Sequence, residues 1–349
     1  MMGNRRLSLS LGLVIFAAAF IGVVSASGPV TTGDAGRTIT VTDDFGESVT
    51  IRGVPQRIVS LAPSNTEILY ALGLEDRIVG VTDYCDYPAA AADKPKVGGY
   101  SSISIEKVLA ADPDLIFAAP GNTEEVVNHL RTLGMTVVSL NPETIDDVLK
   151  DIKLVGRATG QEEQAAACAE ELQERITAVT EKADALAEKP SVVHVVWHDP
   201  IWVSGNATFQ DEVIRMAGGI NAFGSVEGWS IVSLEEFITA DPEYIIVNSG
   251  TGMTEGENDA IYDYFMTEPR MQGLDAVRNG HVSVIDANII DRGSPRIVDA
   301  LEEVAATLHP DLFGAATPKV TPVARSPGFG AIPLTCALLA VFLLRSRRQ

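Results

Sequence analysis

Residues 99–116 read GYSSISIEKVLAADPDLI, and residues 228–245 read GWSIVSLEEFITADPEYI, a constant 129 positions later. Eight of the eighteen aligned positions are identical. Most of the others exchange like for like: Tyr100 for Trp229, Ile103 for Val232, Ile105 for Leu234, Asp114 for Glu243. Each copy introduces a helix and then a strand, so the chain repeats one structural unit and contains two similar lobes.

The flanking sequence fills in both lobes. Residues 38–51, TITVTDDFGESVTI, alternate apolar and polar residues around a Gly-containing turn, the pattern of a β-hairpin. RIVSLAP follows as a strand, and Ser64 with Glu67 has the spacing of a capping box opening the helix TEILYALG, stopped at Gly73. The strand, helix, strand rhythm continues through RIVGVT, DLIFAA, EEVVNHLRTLG and TVVSLN, which predicts a parallel sheet covered by helices. From about Thr144 to Ala187 the pattern becomes helical, interrupted near Gly156 and Gly160. Its second part carries an apolar stripe of Cys168, Leu172, Ile176, Val179, Ala183 and Leu186. One helix from Glu162 to Glu188 would span about 40 Å, enough to bridge two lobes. After Pro190 the rhythm resumes with SVVHVVW, a helix FQDEVIRMAGG with Thr208 and Asp211 as capping residues, EYIIVNS, HVSVIDA and a last helix ending near His309. The expected fold class is α/β: two similar parallel-sheet lobes joined by a long rigid helix, with a ligand cleft between them. Residues 38–150 form the first lobe with its leading hairpin, 151–189 the linking helical segment, 190–313 the second lobe and 314–326 a linker.

Both ends look like sorting signals. Residues 1–26 carry Arg5 and Arg6, an apolar run and the small residues Ser25 and Ala26, the order of a secretory signal peptide cleaved near Ala26. An N-terminal membrane anchor is the alternative for the same run. Residues 327–349 hold PGFGAIPLTCALLAVFLL before Arg345, Arg347 and Arg348, an apolar tail with its basic end placed inside the cell. This tail resembles the archaeal PGF-CTERM sorting signal at Pro327, Gly328 and Phe329, which implies a lipid anchor and a cell-surface, extracytoplasmic location. The net charge of −21, with 8 lysines against 18 arginines, argues against a nucleic-acid partner and suits a protein kept soluble in strong salt. Three cysteines, Cys85, Cys168 and Cys336, do not make a disulfide framework. Asn206-Ala-Thr208 is a glycosylation sequon.

Catalytic signatures are absent: no GxSxG elbow, P-loop, HExxH or CxxC. Of the five histidines only His194 and His198 share a strand face; His194 reads as core and His198 as cleft edge. The expectation is a protein that is not an enzyme and holds no cofactor or metal of its own. A metal-dependent hydrolase using His198, Asp199 and Asp286 in the interlobe cleft is the remote alternative.

Glu106 and Glu235 open the two repeated helices, and a carboxylate there is favoured by the helix dipole alone. As an equivalent pair on two related lobes they also suit docking on a two-fold symmetric partner through arginines. Tyr100 and Trp229 lie six residues before them, where aromatic side chains would face one another across the cleft and offer flat apolar surfaces to a large planar ligand.

The motifs TVTDDFGESVTI, RIVSLAPSNTEILYALG, DYCDYP, SIEKVLAADPDLI, SLEEFITADPEYII and GSPRI, in this order over residues 38 to 310, resemble the substrate-binding proteins of ABC importers for cobalamin and iron chelates. That resemblance implies a monomer that binds its ligand between two lobes and docks on a permease dimer through Glu106 and Glu235. It implies ligand contacts from Tyr84, Tyr100, Trp202, Trp229, Asn288 and Arg292. Asn288 stands where cobalamin binders have an acid, and Arg296 reads as structural. With Arg292 nearly the sole cation expected in the cleft, a nearly neutral corrinoid fits better than a highly anionic iron catecholate. The alternative ligand is a ferric siderophore or haem, with Tyr84 or His198 able to ligate iron.

Overall fold

The computed structural model describes residues 36–249 and 260–314. The predicted hairpin is β1 (Thr38–Thr42) against β2 (Ser48–Arg52), antiparallel from Thr38↔Arg52 to Thr42↔Ser48, with Val41 and Ile51 buried. The first lobe follows as β3 (Ile58–Ser60), α1 (Pro63–Ala71), β4 (Ile78–Val81), α2 (Ile105–Ala110), β5 (Leu115–Ala118), α3 (Glu124–Thr132) and β6 (Val137–Ser139). Its four strands are all parallel, in the order β4-β3-β5-β6. Two helices, α4 (Ile145–Thr159) and α5 (Glu162–Asp184), lead to the second lobe. That lobe comprises β7 (Ser191–His198), β8 (Ile201–Ser204), α6 (Phe209–Met216), β9 (Ile220–Asn221), β10 (Trp229–Ile231), α7 (Leu234–Ala240) and β11 (Tyr244–Ser249). It ends with α8 (Ala260–Thr267), α9 (Asp275–Asn279), β12 (Val282–Asp286), α10 (Ala287–Ile290), α11 (Ile297–Leu308) and α12 (Pro310–Phe313).

The repeat is real in three dimensions. Ser104 and Ser233, 129 apart, cap α2 and α7 by accepting from the N–H groups of Lys107 and Glu236. Asp112 and Asp241 take left-handed φ values of 47° and 36° where each helix turns into its strand. β5 and β11 then enter the middle of their sheets. Asp114 and Glu243 also do one job twice. Asp114 accepts from the N–H groups of Gln56 and Arg57, and Glu243 from that of Ser191, so each acid ties down the start of the neighbouring strand.

The central parallel strands of both sheets are buried on two faces, which is why they are so apolar. Val59, Ile116 and Val137 face a core private to the first lobe, and Val193, Val195, Ile245 and Val247 one private to the second. The opposite faces meet a shared layer: Ile58, Leu115 and Phe117 from one sheet and Val192, Ile246 and Ile285 from the other join Ile68, Val148, Ile176, Ile214 and Leu301 in a single cluster. The lobes are therefore joined through packed helices as well as through the chain.

Five expectations need correction. The second sheet, ordered β10-β8-β7-β11-β12 with β9 beside β7, is mixed: β8 and β10 run antiparallel. The bridging helix α5 begins at Glu162 as expected but ends at Asp184 rather than Glu188, packed against α4. Gly156 does not interrupt α4; a Cβ there would lie 2.3 Å from that of Ala165, so glycine permits the close approach of α5. The break is Gly160, left-handed at φ 75°. Ser64 and Glu67 form no capping box, because the N-cap of α1 is Ala62 and Glu67 is engaged elsewhere. At α6, Thr208 caps as expected, whereas Asp211 bonds Arg215 and Asn221.

Candidate functional site

In a parallel sheet the loops beyond the carboxyl ends of the strands build the site. In the first lobe these are the segment after β4, with Tyr84, Asp86, Tyr87 and Tyr100, and the turn after β5. The segment is pinned from below: Lys96 Nζ donates to the carbonyls of Thr82, Cys85 and Ala91, and Cys85 Sγ lies 3.1 Å from the hydroxyls of Thr66 and Thr82. Cys85 and Cys168 are free thiols. Tyr100 lies on Gly121, whose N–H donates to its Oη at 3.1 Å; a Cβ at 121 would come within 1.8 Å of the ring. Asn122, buried, donates to the carbonyls of Tyr100 and Leu61 and fixes both segments. Tyr84, 60% exposed, has its ring edge over Gly99, next in the chain to Tyr100.

In the second lobe the antiparallel strands make the wall. Register pairs Trp229 with Ser204 and Ile231 with Trp202, placing Trp229, Ile231 and Trp202 on one face of the β8–β10 pair. Ile201 and Val203 point the other way into the core. Trp229 is 54% exposed. The sequence thus spends its apolar residues on both faces of this pair, one for the core and one for solvent. His198 lies between the rings of Trp197 and Tyr264, at 4.7 and 5.0 Å, and its buried Nδ1 has no partner among the described residues. His194 is core, bonded to Ser204 and Asn248; burial holds its pKa below the usual histidine value.

Between the lobes stands a group that the sequence did not announce. Glu67, with 2% of its side chain exposed, reaches from α1 to the segment preceding α11. Its Oε1 accepts from Arg292 at 3.2 Å and Arg296 at 2.6 Å, and its Oε2 from Ser294 at 2.7 Å and Arg296 Nε at 2.8 Å. Asp86 takes a second bond from Arg292 at 2.9 Å, and the Arg296 guanidinium lies 3.8 Å from the centre of the Tyr87 ring. Arg292 is therefore no isolated pocket cation: it is one of two arginines already matched by two carboxylates. Asn288, in α10, is at the edge of this group, its carbonyl accepting from Arg296 at 3.4 Å. The structure places Tyr84 over Gly99, the chain neighbour of Tyr100, puts Trp202 on the same strand face as Trp229, and sets Asn288 and Arg292 against the one Glu67–Arg296 group.

Glu106 and Glu235 are exposed, each one residue into its helix after Ile105 or Leu234, and among the described residues neither carboxylate has a hydrogen bond or ion pair. Capping falls instead to Ser104, and to Ser233 with Glu236. Asp286, from the hydrolase alternative, caps α10. Among the described residues no group of three His, Cys, Asp or Glu side chains is placed to hold a metal ion.

The family model for periplasmic binding proteins matches residues 58–289, across both lobes. The chain belongs to that family. An ABC transporter substrate-binding lipoprotein of Bacillus subtilis, YvrC, is 31% identical over 79% of this chain and 87% of its own. The crystal structure of the periplasmic vitamin B12-binding protein BtuF of Vibrio cholerae superposes with a TM-score of 0.61 at 30% identity, covering 73% of this chain and 96% of that one. The haem-binding protein RhuT of Roseiflexus gives a TM-score of 0.65 at 26% identity, over 74% and 99%. This periplasmic binding protein is accordingly the extracytoplasmic substrate-binding component of an ABC importer. The signal and tail, residues 1–26 and 327–349, lie outside the described residues, as does most of the 314–326 linker; no described helix is long and apolar enough to cross a membrane.

Proposed function

We propose that the protein captures cobalamin or a related corrinoid between its lobes, leaves it chemically unchanged, and hands it to a permease dimer that docks on Glu106 and Glu235. One observation carries the ligand class: exposed aromatic surface on both lobes, with Arg292 and Arg296 already neutralised by Glu67 and Asp86. Such a cleft suits a large, flat, nearly neutral molecule, because an anion would have to displace existing ion pairs. The similarity to BtuF supports the same choice; the similarity to RhuT and the exposed Tyr84 phenol keep haem as the second reading.

Calorimetric titration with cyanocobalamin, haem and a ferric hydroxamate separates these, with cyanocobalamin expected to bind and to be recovered intact. Trp229→Ala is expected to weaken that binding by about 1–3 kcal/mol, the cost of losing a large aromatic contact. Haem saturating the protein while cyanocobalamin gives no heat would reverse the assignment.

Docking is supported by the two unpaired carboxylates and by the finding that other residues do the capping. Glu106→Ala with Glu235→Ala should keep ligand affinity and melting temperature while reducing transporter-dependent uptake at least tenfold. Normal uptake would sink the docking role. Attachment to the membrane through residues 327–349 rests on the sequence of that tail, and fractionating cells that express the chain with and without it reads the anchor directly.

A further inference from the structure

We propose that Leu109 and Ile238 are apolar anchors of the docking face, one per lobe, seated in two equivalent apolar sockets of the permease dimer beside the arginines that meet Glu106 and Glu235. This rests on the docking reading above. The two residues are 129 positions apart and so occupy equivalent places in the repeat. They are 39% and 40% exposed, whereas their chain neighbours Val108 and Phe237 are fully buried. Each lies three residues after its glutamate, which puts carboxylate and aliphatic side chain next to one another on the outer face of a short helix.

A single exposed leucine needs no explanation. The pattern across the repeat does. At the other outward positions the two helices differ freely in character, Lys107 against Glu236 and Ala110 against Thr239. Only the pair Glu106/Glu235 stays acidic and only the pair Leu109/Ile238 stays large and aliphatic on that outer face. Two lobes that drifted apart elsewhere have kept the same two-part surface, which fits two identical sockets rather than one arbitrary contact. Because neither carboxylate is matched within the described residues, the occupant must bring the positive charge. A second copy of this strongly acidic chain is poorly suited to do so.

The test uses the full chain held through its C-terminus, with the permease–ATPase complex purified from the same cells and presented in nanodiscs. Leu109→Gln with Ile238→Gln is expected to lower affinity for that complex about tenfold or more, with melting temperature and ligand titration unchanged. Leu109→Met with Ile238→Met should stay within about threefold of wild type, and Leu133→Gln, exposed but outside the repeat, should bind normally. If the Gln pair binds as wild type while the Glu106→Ala, Glu235→Ala pair is weakened, the anchors are wrong and docking stands. If both pairs bind as wild type, the docking reading itself falls. Wild-type self-association abolished by the Gln pair would make a second copy the occupant and overturn the proposal.

Discussion

Glu67→Ala is expected to lower the unfolding free energy by about 3–5 kcal/mol and to loosen the placement of one lobe against the other. The reason is the imbalance it creates. In the wild type two guanidinium groups, with side chains only 17% and 14% exposed, share one nearly inaccessible carboxylate, and every oxygen lone pair of that carboxylate has a donor. Removing the carboxylate leaves Arg296 with a carbonyl and the face of Tyr87, and Arg292 with Asp86 alone. A buried charge stripped of its partner costs several kcal/mol, far more than an exposed ion pair contributes. Glu67→Gln keeps the shape and can still accept from Ser294 and one arginine, so it should lose distinctly less. Urea unfolding gives the stability, and a pair of spin labels, one per lobe, gives the distribution of interlobe distances. A Glu67→Ala protein within about 1 kcal/mol of wild type, with an unbroadened distance distribution, would remove this group from any account of how the lobes are held.

The same carboxylate shows where sequence reasoning stops. Ser64 and Glu67 have the spacing of a capping box, a local pattern with a local explanation. The partners that actually hold Glu67 are more than 220 positions away, at Arg292, Ser294 and Arg296, and nothing within a window of the sequence reports them. Asp86 and Tyr87 give no signal for the same reason: which residues of their loop face the other lobe depends on segments far away in the chain. By contrast, the helix and strand that each copy of the repeat introduces were legible. Two segments that agree position by position fold alike, and their serine caps, left-handed aspartates and strand-tying acids follow from shared local chemistry. The antiparallel β8 was not legible in the same way: Ile201, Trp202 and Val203 are a continuous apolar run and Ser204 is buried too, so the segment reads equally well as a buried parallel strand. What the sequence lacked was the order of the strands, which depends on contacts between distant segments.

The second large effect is expected at Asp151, in α4. Its side chain is buried, and Oδ2 has no hydrogen-bond partner among the described residues. Burial first, then the nearby Asp44 and Asp147 carboxylates, push its pKa up to about 9, with Lys150 offsetting part of the effect. In the folded protein Asp151 is therefore neutral at pH 7, whereas in the unfolded chain it ionises near the ordinary aspartate value of about 3.9. Between those two values the folded state binds the extra proton, so stability falls as pH rises from about 4 to about 9 and levels off beyond. Asp151→Asn removes the titration, keeps the volume and offers an amide donor to Asp44. It should stabilise the protein by an amount on the order of 2–4 kcal/mol at pH 8, shrinking towards zero near pH 4. Urea unfolding of wild type and variant across this range measures the difference directly, and the titrating groups that do not interact with Asp151 cancel in it. A difference that is the same at pH 5 and pH 8 would mean that Asp151 is not held neutral by the fold. An otherwise very acidic protein thus carries an internal carboxyl that favours the protonated state, where α4 meets the amino-terminal hairpin.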